Sequence, residues 1–184
     1  YERNGDPEDI LKKEAVDLAE KAEVVIYCLG LNELGEAEGL DRSHMRIPQN
    51  QIDLLETLAK VNENIVGVIS AGASIEMPWE RNCRAILHGY LSGQAGASAM
   101  VDILTGEVNP SGRLSETYRI KYEDTPSFRN FPSTERNAEY REGIYVGYRY
   151  YDTSMVRIQY PFGFGLSYTE FSYSDLQVDE DGVT

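Results

Sequence analysis

The run Val24-Val25-Ile26-Tyr27-Cys28-Leu29, matched further along by Ile65-Val66-Gly67-Val68-Ile69, decides the fold. Each is a short, continuous apolar stretch rich in β-branched residues, the composition of a strand buried on both faces of a parallel sheet. Between them, Pro48 to Val61 places Ile52, Leu55, Leu58 and Ala59 on one side of a helix, so the three pieces read as a βαβ unit. On the N-terminal side, Asp6-Pro7-Glu8-Asp9 has the form of an N-cap with an acidic first turn. Ile10, Leu11, Ala15, Leu18, Ala19 and Ala22 then recur at helical spacing, predicting a helix to about residue 22. On the C-terminal side, Ala85-Ile86-Leu87 predicts a third strand. The small residues from Gly93 to Met100 predict a helix able to approach a sheet closely. The expected fold is α/β: an open, mostly parallel sheet with helices on both faces, an α/β sandwich of flavodoxin-like type with Cys28 in its central strand. From about Asn109 the chain turns to Pro, Gly, Tyr and charged residues, a loop-rich tail. Thr169 to Leu176, with Phe171 and Tyr173 alternating against polar neighbours, reads as one last strand. The expected division is therefore 1–168 for the sandwich and 169–184 for the final strand and the start of a linker.

Composition removes several classes of function. The 184 residues carry 17 Lys and Arg against 31 Asp and Glu, a formal net charge of −14. That excess repels phosphate backbones and anionic lipid, so neither nucleic acid nor a membrane surface is an expected partner. The first apolar run is about a third of the ~20 residues needed to cross a bilayer. Cys28 and Cys83 form no redox motif, and two free thiols lean towards a reducing, cytoplasmic setting. His44 and His88 are isolated, without partners at metal-ligand spacing, and no cofactor is expected.

In an open parallel sheet, chemistry collects in loops beyond the carboxyl ends of the strands. The loop after the first strand reads Gly30-Leu31-Asn32-Glu33-Leu34-Gly35-Glu36-Ala37-Glu38-Gly39-Leu40-Asp41-Arg42. It has glycines but no Lys-Ser/Thr pair, and its four acids oppose a phosphate. Those acids could instead hold a hard cation, but they lack the alternating oxygen ligands of a calcium loop, and no metal is assigned. A solvated acidic loop is the alternative that composition alone allows.

The same residues resemble the C-terminal α/β sandwich domain of glycoside hydrolase family 3, the β-glucosidase and β-xylosidase family. The matching pieces are Glu36 to Arg42 with Ile47-Pro48 and Gln51, Pro78-Trp79, Gly93-Gln94-Ala95-Gly96, Leu104 to Leu114, Gly147 to Tyr151, and Pro161 to Tyr168. They keep their order from about residue 23 to 173. The tail after Phe171 resembles the first strand of the fibronectin-type domain that often follows in that family. The resemblance implies a retaining, exo-acting β-glycosidase working on β-linked glucosides or xylosides. It also implies that the nucleophile, an Asp, sits on a separate (β/α)₈ barrel domain, while the acid/base Glu comes from this sandwich. A retaining pair needs its carboxyl groups only ~5 Å apart, a gap that a cleft between two domains can set. By the family pattern the donor is the Glu directly before Gly, which is Glu38; Glu36 is the other candidate. Asp41 and Arg42 are expected to orient the loop through salt bridges. Residues 31 to 46, with the edge carrying Trp79, are expected to face the barrel, where Trp79 either stacks on sugar or packs inside. Tyr148, Tyr150 and Tyr151, with Phe162 and Phe164, are expected to pin the tail onto the sheet. The chain alone is expected to hydrolyse nothing. The alternative is a non-catalytic module of the same fold that binds sugar or protein.

Overall fold

The computed structural model describes residues 9–133 and 136–178. Helix α1 (Asp9–Ala19) leads into β1 (Val25–Gly30), α2 (Gln49–Leu58), β2 (Ile65–Ser70), β3 (Ala85–His88) and α3 (Gly96–Thr105). Beyond these lie the short β4 (Tyr118–Arg119), α4 (Tyr148–Ser154) and β5 (Ile158–Tyr160). The first three strands form one parallel sheet in the order β1-β2-β3, with Tyr27 opposite Gly67 and Gly67 opposite Ile86. Strands β4 and β5 pair antiparallel, Tyr118 opposite Tyr160. The fold is thus the expected open parallel sheet with helices.

Helix α1 ends where a side chain takes over its carbonyls. Asn62 Nδ2 donates to the oxygens of Ala19 and Ala22, 2.9 and 2.8 Å away, closing α1 at Ala19 rather than at residue 22. The expected N-cap at Asp6 lies outside the described residues. Pro48 is the N-cap of α2, and Ala59 closes that helix short of Val61. Helices α1 and α2 set Ala15, Val16, Ala19, Ile52, Leu55 and Leu58 against Tyr27, Leu29, Ile65 and Ile69 on one face of the sheet. The same cluster continues through Ile75, Met77, Trp79 and Tyr118.

Two expectations about β1 are corrected. It is an edge strand, β2 being the middle one, so Cys28 is not central. Nor is β1 buried on both faces: alternation sends Ile26 and Cys28 away from the helices, where Ile26 is 50% exposed and Cys28 is exposed. The apolar run was legible, but what covers each face depends on its neighbours. Helix α3 also departs from expectation, since Ala97, Ser98 and Ala99 are exposed and do not line a close sheet contact.

The tail is held by one side chain above all. Asn109 Oδ1 accepts from Ser167 Oγ and from the Tyr168 N–H, both at 2.9 Å, while its Nδ2 donates to Thr169 Oγ1. Leu114 exchanges backbone hydrogen bonds with Phe164 and Gly163, and Tyr168 donates to the Ile103 carbonyl. The two late motifs, Leu104 to Leu114 and Pro161 to Tyr168, are therefore zipped together. Tyr151 is buried, whereas Tyr148 and Phe162 stack on each other at 5.1 Å and stay half exposed. Residues 169–177 form no strand, and among the described residues none pairs with them; Phe171 and Tyr173 are exposed. Among the described residues no helix is long and apolar enough to cross a membrane.

Candidate active site

The loop between β1 and α2 begins from a fixed point. Gln51, in the first turn of α2, reads the backbone of Gly30 from both sides: its Oε1 accepts the Gly30 N–H at 2.8 Å and its Nε2 donates to the Gly30 carbonyl at 3.0 Å. Tyr27 Oη donates to the Gln51 carbonyl at 2.7 Å. The end of β1 is thereby locked to the start of the helix.

From there the chain makes two turns. Asn32 Oδ1 accepts the N–H groups of Leu34 and Gly35, both at 3.1 Å, closing the first. In the second, the Leu40 N–H donates to the Ala37 carbonyl, which makes Glu38 and Gly39 the central pair of a four-residue β-turn. Gly39 has φ +81°, and Glu38 is not left-handed. That combination is a type II turn, whose third position strongly favours glycine. The Glu-Gly pair thus has a geometric basis: glycine makes the turn, and the turn puts Glu38 at its corner.

The two candidate carboxylates differ in what holds them. Glu38 is exposed, and no hydrogen bond or ion pair among the described residues engages it. Glu36 is turned inward. Its Oε2 accepts the backbone N–H of Gly72, in the loop after β2, at 2.7 Å, and its Oε1 lies 4.0 Å from Arg42 Nη1. Arg42 is half-buried; burial lowers its pKa, and Glu36 pulls the other way. The expected loop-orienting salt bridge is thus made by Arg42 with Glu36, while Asp41 stays exposed. Arg42 Nη2 is buried with no hydrogen-bond partner among the described residues. Beside it opens a cleft of about 360 Å³ lined by Leu31, Leu34, Asp41, Arg42, His44 and Arg46.

Behind the loop runs a polar brace that sequence reading missed. Glu116 accepts from both the N–H and the Oγ of Ser74, at 2.7 and 2.9 Å, and lies 3.7 Å from Arg119. The Glu76 N–H donates to the Met45 carbonyl, and Glu76 Oε1 accepts from the Tyr122 N–H. The loops after β1 and β2 and the segment around β4 are so joined into one platform. No spacing rule pairs residues thirty to forty-six positions apart, so only Gln51, already among the motif residues, carried any signal.

Trp79 is 1% exposed within the core, so its ring offers no face to a sugar and its edge does not look outward. His44 is exposed, with Nδ1 accepting the Arg46 N–H at 3.3 Å. Among the described residues no three His, Cys, Asp or Glu converge as metal ligands.

His88 lies against Tyr90, ring centroids 3.9 Å apart, and edge-on to Tyr118. Burial pushes its pKa down from 6.5 to about 4, against the opposing pull of the Ile69 backbone and the Glu36 charge. An unfolded chain takes up the imidazole proton near 6.5, while the folded one resists until about 4. Between these values the unfolded state binds more protons, so stability falls as the pH drops through the window. The expected result is that thermal melting of the wild type at pH 7 and pH 5 shows a larger acid loss than that of His88→Gln. Equal losses would mean that His88 is wetter than the structure has it.

Known proteins repeat this architecture. The thermostable beta-glucosidase B of Acetivibrio thermocellus is 46% identical over 183 residues, covering all of this chain and 24% of that protein. An exo-alpha-(1->6)-L-arabinopyranosidase of Bifidobacterium longum is 43% identical, covering 94% of this chain and 23% of its own length. The crystal structure of the Bifidobacterium adolescentis GH3 beta-glucosidase superposes with a TM-score of 0.90 at 45% identity, over 94% of this chain and 26% of that one. The chain thus spans about a quarter of the length of the curated relatives it matches. The anchored loop, the brace behind it and the zipped tail all lie within residues 7–168, which match the model of the glycosyl hydrolase family 3 C-terminal domain, and the chain belongs to that family.

Proposed function

We propose that this chain supplies the general acid/base of a retaining, exo-acting β-glycosidase that acts on β-linked glucosides or xylosides. Glu38 is the proton donor, and the nucleophile is an Asp on a (β/α)₈ barrel domain of the same longer protein. The carrying observation is the difference between the two acids: Glu38 stands free at the corner of a glycine-dependent turn beyond β1, whereas Glu36 is committed to Gly72 and Arg42. An acid/base must give up and retake a proton at the leaving oxygen, so it has to be free to reach substrate. Arg42, held by Glu36, lines the cleft that opens beside this loop. The beta-glucosidases among the relatives support the glucoside class, and the arabinopyranosidase makes a panel of sugars the right assay.

Half a carboxylate pair cannot complete a double displacement. The 184-residue chain is therefore expected to turn over no nitrophenyl β-glucoside, β-xyloside or α-L-arabinopyranoside, while the product of the longer reading frame cleaves at least one of them. Turnover by the chain alone that persists in Glu38→Gln would sink the assignment. A longer product that binds sugar but cleaves nothing would make the domain a binding module instead.

A further inference from the structure

Glu36 is a charged side chain spent on a backbone amide, the Gly72 N–H, while Glu38 two residues on stays exposed. Its carboxylate sits directly on the main chain at residue 72: a Cβ added to Gly72 would come 3.0 Å from Glu36 Oε1 and 3.2 Å from its Cδ. A side chain at 72 would crowd the carboxylate and, at 3.1 Å, Leu91 Cδ1 as well. The contact joins the loop after β1 to the loop after β2, and Arg42, four residues beyond Glu38, closes it from the other side. Glu38 is thus bracketed, with the Glu36 latch two residues before it and the Arg42 end of the same latch after it. The intervening Ala37–Leu40 turn is closed by its own hydrogen bond. We infer that Glu36 is a positioning residue: by clamping the Gly72 N–H and Arg42 it sets where the corner of the Glu38 turn stands, without itself exchanging a proton with substrate.

The inference rests on the reading of Glu38 as the acid/base, and its test has two arms so that the two can fail separately. The first uses this chain and no activity. Glu36→Ala should speed hydrogen exchange at the Gly72 amide at least tenfold, since a charge-assisted hydrogen bond is lost, while the amides of β2 stay protected. Unchanged exchange at Gly72 overturns the latch whatever Glu38 does. The second arm uses the longer protein. Displacing a proton donor by about 1 Å costs on the order of a hundredfold where proton transfer matters. So Glu36→Ala should lower kcat/KM for an alkyl glucoside by roughly ten- to a hundredfold, and for a dinitrophenyl glucoside, which needs little protonation, by less than about threefold. Glu36→Gln keeps an acceptor for Gly72 and should recover most of the loss. Gly72→Ala, whose methyl crowds the carboxylate at 3.0 Å while keeping Glu36, should show the same selective defect in milder form. Equal losses on both substrates mean that Glu36 only supports folding. Azide rescue of Glu36→Ala but not of Glu38→Ala means that Glu36 is the proton donor, overturning both readings.

Discussion

Glu38→Ala in the longer protein is expected to lower kcat/KM for a glucoside with a poor leaving group by about 10² to 10⁴, the usual worth of a positioned general acid. The loss should depend on the leaving group. A dinitrophenolate departs without a proton, so formation of the glycosyl-enzyme should barely slow, while its hydrolysis, which needs the same carboxylate as a base to activate water, should become limiting. Pre-steady-state mixing should then show a burst of phenolate followed by a slow phase. Azide needs no base to attack, so it should restore the slow phase and leave a β-glycosyl azide, the configuration a double displacement requires. The structure adds a control. Gly39→Ala keeps the carboxylate but strains the φ +81° position of the turn, and nothing crowds the added methyl, so any loss comes from moving the corner. That variant should be slow and insensitive to azide. If azide rescues neither Glu38→Ala nor Glu36→Ala, the donor lies elsewhere and the loop reverts to a solvated acidic segment.

The second large effect is on stability. Trp79 is the largest of the fully buried side chains and shares its cluster with Ile75, Met77 and Tyr118, which tie the sheet to the β4 segment. Truncating it to Ala removes an indole from packed surroundings and leaves a cavity, at a cost of roughly 3–5 kcal/mol. Against the 5–15 kcal/mol that holds a typical domain together, that is a large share. Chemical unfolding of the 184-residue chain should show the midpoint of Trp79→Ala well below wild type, with Trp79→Phe between the two. In the longer protein, Trp79→Phe should leave KM for glucoside within about twofold, because a buried ring touches no sugar. A large rise in KM with an unchanged unfolding midpoint would return Trp79 to the site wall.

The local pieces were legible because short-range physics makes them. The apolar runs at Val24 and Ile65, and the helical spacing of Ile52, Leu55 and Leu58, needed only periodicity. The place of the candidate site was read from topology, since a parallel sheet leaves its loops at one end. The Glu-Gly order singled out Glu38, and the turn at Ala37–Leu40 supplies a reason for that order.

Expectation failed where the answer depended on a partner distant in sequence. Alternating Phe171 and Tyr173 promised a strand, but a strand exists only with a neighbour to hydrogen-bond, and residues 169–177 have none among the described residues. Ile26 and Cys28 looked as buried as Tyr27 and Leu29, yet only one face of β1 has helices laid over it. Asp41 and Arg42, adjacent and opposite in charge, suggested a shared role, but the guanidinium turned to Glu36. By itself the sequence determined β1 to β3, α1 to α3 and the acidic loop, because each rests on contacts among near neighbours. Only the tertiary structure decided that Glu36 is held by Gly72, that Gln51 pins Gly30, and that Trp79 belongs to the core. Those outcomes require side chains to meet backbone and core atoms that the fold brings near and the chain order keeps apart.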